Sequence, residues 1–182
     1  MANESMNVTS PKGALMYMTI DGEGKENFDG DGMVYEATID VPMKDAEPFM
    51  DKIDDFMESK APKGYKQANV PYKTPSDSDK VPEDHVRFTF KTNVTMPSGS
   101  KVKVRIYDSN KVETSLPDDV KIGNGSTGYV SGVLRMYDRP KSKEYGASLF
   151  LKNVLLLDLV EYTPDSGFDD VDTDDFSLFH LF

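Results

Sequence analysis

The 182-residue chain has no cysteine, no tryptophan and only two histidines. Without cysteine it can form no disulfide and offers no thiolate to a metal or a substrate. His85 and His180 are far apart in sequence, and no serine stands at a strand-to-helix elbow, so the side-chain sets of nucleophilic hydrolysis are missing. No G-x-x-x-x-G-K-[ST] loop is present. Gly123-Asn124-Gly125-Ser126 is only superficially like a phosphate cradle, because a strand is expected after it where a helix N-terminus would be needed. The acidic segment 21–32 (DGEGKENFDGDG) lacks the twelfth-position glutamate of an EF-hand. Neither catalysis, nor a metal, nor a cofactor is expected. Apolar runs are short as well. The longest spans 154–160, far below the roughly 18 residues of a membrane span. The opening MANESMNVTSPKG lacks the basic and apolar regions of a secretory signal, so an intracellular protein is expected.

Positive charge is also scarce: 21 Lys and Arg against 32 Asp and Glu give a net charge of -11. That balance alone would disfavour a polyanionic partner, but its distribution reverses the argument. Residues 85–152 hold twelve Lys or Arg and six Asp or Glu, a local +6, whereas 165–182 hold six aspartates and no cation. The basic middle and the acidic end are suited to compete for one partner. The end, DSGFDDVDTDDFSLFHLF, also carries Phe176, Phe179 and Phe182, which a merely solubilising tail does not need. Their spacing permits one helical turn capped by Thr173 or Asp174, or an extended segment. We divide the chain into a domain over 1–164 and a tail over 165–182.

Along the domain, strands are expected at 14–20, 33–41, 86–94, 101–107, 120–122, 128–137 and 147–162, each from alternation or a short apolar run. One helix is expected after Pro42, capped by Asp45, with Pro48 in its first turn and Phe49, Met50, Ile53, Phe56 and Met57 on one stripe. Residues 66–84, with three prolines, read as a long and mobile connection. Regularly spaced strands with a single helix predict a small, closed or nearly closed β-barrel.

Binding chemistry is better supported than catalysis. Lys101, Lys103, Arg105 and Tyr107 alternate outward with Val102, Val104 and Ile106. Tyr129, Arg135 and Tyr137 share one face of the next long strand, and the connection after it offers Arg139, Lys141, Lys143 and Tyr145. Cations interleaved with rings suit single-stranded nucleic acid, phosphates going to the cations and bases to the rings. Each of these side chains also has a plainer reading, as solvated strand face or barrel rim.

Residues 33–56 (MVYEATIDVPMKDAEPFMDKIDDF), FTFKTNV, VRIYDS, IGNGS, MYDRP and YGASLFLKNVLLLDLVEY, in that order and followed by an acidic tail ending in phenylalanine, resemble the single-stranded DNA-binding replication proteins of short-tailed (T7-like) bacteriophages. The resemblance implies an OB-fold, a five-stranded Greek-key barrel with one packed α-helix, and a non-enzymatic protein acting in phage DNA replication, recombination and repair. It implies that Lys91 and Tyr137 lie at the binding cleft. It implies that the tail, with Asp169, Asp170, Asp172, Asp174, Asp175, Phe176, Phe179 and Phe182, competes with DNA for the cleft and recruits the phage DNA polymerase and helicase–primase. A homodimer in the cytoplasm of the infected bacterial host is implied too. Thr127, Tyr129 and Ser131 stand where the family has lysines, so some phosphate contacts must come from elsewhere. The alternative from another class is a virion or assembly protein whose barrel and tail make protein contacts only.

Overall fold

A computed structural model describes residues 4–30 and 32–162. In chain order these form β1 (Ser5–Thr9), β2 (Gly13–Thr19), β3 (Lys25–Glu26), β4 (Met33–Pro42), α1 (Met43–Lys60), β5 (Lys66–Gln67), β6 (Tyr72–Lys73), β7 (His85–Asn93), β8 (Arg105–Tyr107), β9 (Glu113–Thr114), β10 (Ser126–Arg139) and β11 (Glu144–Asp158). The tail 165–182, and every expectation attached to it, lies outside the described residues.

Five of these strands close on themselves. β2, β4 and β7 form an antiparallel meander, β7 runs parallel to β11 through Leu149 and Phe150, β11 returns antiparallel along β10, and β10 closes onto β2. An antiparallel meander whose third strand pairs in parallel with the fifth, and whose first pairs with the fourth, is the OB-fold barrel expected from the sequence. The inward sides of the alternating strands fill it: Leu15, Tyr35, Ala37, Ile39, Val86, Phe88, Phe90, Val130, Leu134 and Val154 are all buried.

Closing so small a barrel forces backbones together. At Gly132 of β10, opposite the irregular register between Ser131 and Gly132, a Cβ would stand 1.9 Å from the Phe150 carbonyl oxygen and 2.9 Å from the Phe90 ring. Only glycine admits that crossing of β10 and β11.

Helix α1 covers the barrel with Ala46, Phe49, Ile53 and Met57 buried, and Phe49 meets Phe88 edge-on with ring centroids 5.0 Å apart. Its start differs from expectation. Pro42 occupies the N-cap, with no side-chain cap, and the Met43 N–H donates instead to the Asp84 carbonyl at 2.7 Å. A proline with φ preset near helical values makes this early entry favourable. Asp45 therefore lies in the first turn, and Pro48 sits inside the helix.

Three further corrections concern strands. Of 101–107 only Arg105–Tyr107 forms a strand, parallel to Asn153–Leu155, while Lys101 makes a single bridge to Thr95. Around 120–122 there is one bridge, Ile122 to Glu161. A strand absent from the sequence reading, β1, lies antiparallel on β10 from Ser5 opposite Arg135 to Thr9 opposite Ser131.

The 66–84 connection is a pinned strap. β5 pairs with Glu144–Tyr145, β6 pairs with Arg87–Phe88, and the Tyr72 hydroxyl donates to Asp54 of α1 at 2.8 Å. Those pairings compensate for its lack of an apolar face.

Candidate nucleic-acid interface

The outer face of β4 and β7 is where the site lies. Alternation places Glu36, Thr38 and Asp40 of β4 on that face, opposite Lys91, Thr89 and Arg87 of β7. Solvation is expected for such a row, yet all three β4 residues are buried, because cations and rings cover them. Arg87 grips Asp40 with two bonds, Nε to Oδ1 at 2.7 Å and Nη2 to Oδ2 at 2.8 Å. Donating these hydrogen bonds to the carboxylate raises the Arg87 pKa above its ordinary value, so the guanidinium is a fixed charge. Thr38 and Thr89 meet at 3.3 Å through their hydroxyls. Glu36 receives Lys25 from β3 and, at 3.4 Å, Lys91.

Rings and a strap wall this floor into a groove of about 680 Å³. Tyr17 of β2 takes a left-handed φ of 50°, within the irregular register between Met16 and Thr19, and places its ring 5.4 Å from the Arg87 guanidinium. On one side stand Asn69, Tyr72 and Lys73 of the strap; on another stand Ser148 and Phe150 of β11. The Tyr72 phenol is pushed well above the ordinary tyrosine range, first by partial burial and then by its bond to Asp54. Phe150 continues the row that begins at Glu36 and Lys91, being the direct partner of Lys91 across the parallel β7–β11 pairing. The Arg135 guanidinium lies 4.6 Å from the centre of its ring.

The residues singled out from the sequence divide into three groups. Lys91, Arg135, Tyr137, Arg139, Lys141 and Lys143 fall on or beside this face. Tyr137 is held by its hydroxyl, which donates to Asn69 Oδ1 at 2.9 Å, and by Arg139 at 5.3 Å from its ring centre. Gly146 lies under it, where a Cβ would come within 2.5 Å of the Tyr137 hydroxyl and 2.1 Å of Asn69. Arg139 also reaches Glu144 at 3.8 Å, and Lys141 and Lys143 are exposed in the turn between β10 and β11.

A second group lies elsewhere. Lys103 and Arg105 both face Glu113, at 3.5 and 3.8 Å, and line a separate groove of about 640 Å³ that shares no lining residue with the first. Lys101 sits exposed at its bridge to Thr95, just before them. Tyr107 and Tyr129 flank Leu155, one from each neighbouring strand of β11. The basic middle of the chain is thus shared between two faces. The third group is Tyr145 alone. It is only 8% exposed and packs in the core, its hydroxyl reaching Gln67 at 3.5 Å, so it presents no ring for stacking. Odd-numbered outward alternation breaks there because the turn at 140–143 reverses the chain.

Lys25, Tyr17, Arg87, Asn69, Tyr72, Lys73 and Phe150 were not among the sequence candidates. For Arg87 a signal existed, since it shares the outward face of β7 with Lys91. Nothing in the sequence places Lys25 or Asn69 at the groove, because loop closure brings them there. Among the described residues no three His, Asp or Glu side chains are placed to hold a metal ion, and no helix is long and apolar enough to cross a membrane.

In an OB-fold, the face of the second and third barrel strands and the loops joining strands one to two and four to five form the oligonucleotide-binding surface. Here those are the β4–β7 groove, the β3-containing segment after β2, and the β10–β11 turn, so the groove occupies the place where barrels of the OB-fold class take their ligands. The chain is similar in structure to gp2.5, a single-stranded DNA-binding protein encoded by bacteriophage T7, with TM-score 0.67 and 19% identity over 96% of this chain and 99% of that one. It is similar also to the single-stranded DNA-binding protein of bacteriophage Enc34. A C-terminally truncated form matches with TM-score 0.59 and 17% identity over 86% of this chain and 88% of that one. A complex with single-stranded DNA matches with TM-score 0.56 and 15% identity over 88% and 89%. At these identities the likeness is one of fold. No protein-family model matches the sequence, and no curated protein does.

Proposed function

We propose that this chain binds single-stranded DNA without sequence preference and without catalysis. The observation that carries the reading is the β4–β7 groove, whose lining cations Lys73, Arg87 and Lys91 outnumber its lining carboxylate Glu36 and whose walls carry the rings of Tyr72 and Phe150. Lysine and arginine take phosphates, and rings take any base, so affinity should depend strongly on salt and weakly on sequence. The Enc34 protein that was solved with single-stranded DNA has this fold, which supports the same ligand here.

The finer reading is a role in phage DNA replication, recombination and repair in the infected host's cytoplasm, as a homodimer. In it the aspartates of 165–182 compete with DNA for the groove, and the displaced tail recruits the polymerase and helicase–primase. Support comes from charge: a local +6 in 85–152 against -6 in the tail. A gel shift comparing single- and double-stranded oligonucleotides tests the first part. Retardation of the single strand at concentrations that leave the duplex free is expected. Retardation of neither would return the chain to an assembly protein that makes protein contacts only. Removing residues after Pro164 tests the tail: oligonucleotide affinity should rise, and unchanged or weaker affinity would sink the competition scheme.

A further inference from the structure

Lys25 and Lys91 reach a single carboxylate from two different elements. Lys25 comes from the short β3, Lys91 from β7, and Glu36 lies between them, its side chain only 9% exposed while each lysine keeps about two-fifths of its own surface in water. Lys25 meets one oxygen of that carboxylate and Lys91 the other, so both ammonium groups are gathered on one buried anion. Glu36 holds both, and Lys91 lines the groove with it.

Three residues beyond Lys25, Phe28 is 94% exposed, the most exposed of the large apolar side chains among the described residues. A phenylalanine gains much from burial, and this one forgoes it. The segment that carries it is nevertheless built. The Phe28 N–H donates to Asn27 Oδ1 at 2.9 Å, the Gly30 N–H to the Asn27 carbonyl at 2.8 Å, and the Asn27 N–H to the Gly32 carbonyl at 2.8 Å. At its base Gly24, with φ 76°, lies so near β4 that a Cβ would come within 2.5 Å of the Val34 carbonyl oxygen. Asn27 itself lines the groove. A pinned hairpin therefore presents a bare ring three residues along the chain from one of the two cations that meet on Glu36.

We infer that residues 25–30 form one nucleotide subsite: Lys25 and Lys91 share one phosphate above Glu36, and Phe28 stacks on the base beside it. The inference rests on the single-strand reading, and it adds to the β4–β7 face a finger that the sequence candidates did not include. The opposing possibility is a solvated hairpin with no contact to the strand.

The chain has no tryptophan, so Phe28→Trp makes a single selective fluorophore at the tip. The full chain carrying it is titrated with an unlabelled oligo-dT, while the anisotropy of a labelled oligo-dT reports binding independently. Emission should be quenched as the strand binds, and Phe28→Ala should weaken binding roughly 5- to 150-fold. The Lys25→Ala/Lys91→Ala double variant should lose about 0.7 from the slope of log K against log salt, the share of one phosphate, where two separate phosphate contacts would lose about 1.4. Unchanged emission at saturation, together with unchanged affinity of the Phe28→Ala variant, would overturn the stacking finger. A loss near 1.4 would overturn the shared phosphate. If the unmodified protein leaves the labelled strand unbound, the single-strand reading falls and the subsite falls with it.

Discussion

Arg87 and Asp40 form the floor of the groove, and cutting one of them away tests whether that floor is as dry as the structure has it. Their side chains are 10% and 3% exposed, and the two bonds between them are short and parallel. Replacing Arg87 by methionine keeps most of the apolar stem but leaves the Asp40 carboxylate buried without its partner. Breaking a buried pair in this way costs about 3–5 kcal/mol, a fifth or more of the roughly 5–15 kcal/mol that holds a domain folded. Replacing both residues, with Arg87→Met and Asp40→Leu, removes both charges together and should be nearly neutral. The assay is urea unfolding followed by circular dichroism. With a slope near 2 kcal/mol/M, the single variant should lose about 1.5–2.5 M from its midpoint, and the double variant should recover most of that loss. A single-variant loss below about 1 kcal/mol would place the pair among solvated surface bridges. Additive losses in the double variant would show that the two groups do not act on one another. Either result would refute the reasoning.

Three other expectations follow from individual contacts. Gly132→Ala forces a Cβ into the Phe150 carbonyl, so calorimetry should record a melting temperature lower by roughly 3–10 °C, corresponding to overpacking of about 1–3 kcal/mol; an unchanged value would mean that β10 and β11 can part freely. Tyr137→Ala should weaken oligonucleotide binding by about 1–3 kcal/mol, while Tyr137→Phe, which loses only the bond to Asn69, should keep most of the affinity; a folded alanine variant that binds normally would make Tyr137 a scaffold residue. The raised pKa of Tyr72 means that its protonated phenol contributes stability that is fully present below the ordinary tyrosine value and is lost as pH climbs from there through the raised value. Ultraviolet titration of the chain against its Tyr72→Phe variant should therefore show the missing phenolate signal above the ordinary tyrosine range, and a difference centred near 10 would contradict the bond to Asp54.

Much of the barrel was legible because its signals are local. Alternation in 86–94 marked β7 to within one residue and that in 128–137 marked β10 to within two at each end, and the stripe from Phe49 to Met57 marked the buried face of α1. What was missed depends on contacts between distant segments. β1 has only five residues, two of them facing inward, and it exists because β10 offers an unpaired edge. Lys101–Lys103 alternates like a strand but meets its neighbour only at the bridge from Lys101 to Thr95 and the bond from the Val102 N–H to the Val94 carbonyl, too short a pairing to make a strand. The site divides in the same way. Arg135 and Tyr137 were readable as one face of one strand. The clasp of Lys25 and Lys91 on Glu36, and the bond from Tyr137 to Asn69, join residues 11 to 68 positions apart that no short-range pattern connects. Tyr145 shows the opposite error, since an aromatic residue next to a basic turn reads as accessible until the strand that buries it is in place.

The most direct test of the central claim is the salt dependence of oligo-dT binding by the full chain, measured by anisotropy. If about five phosphates are neutralised on the β4–β7 face and the β10–β11 turn, log K should fall against log salt with a slope of roughly -3.5. A flat response, or no binding at low salt, would contradict a cationic groove for single-stranded DNA.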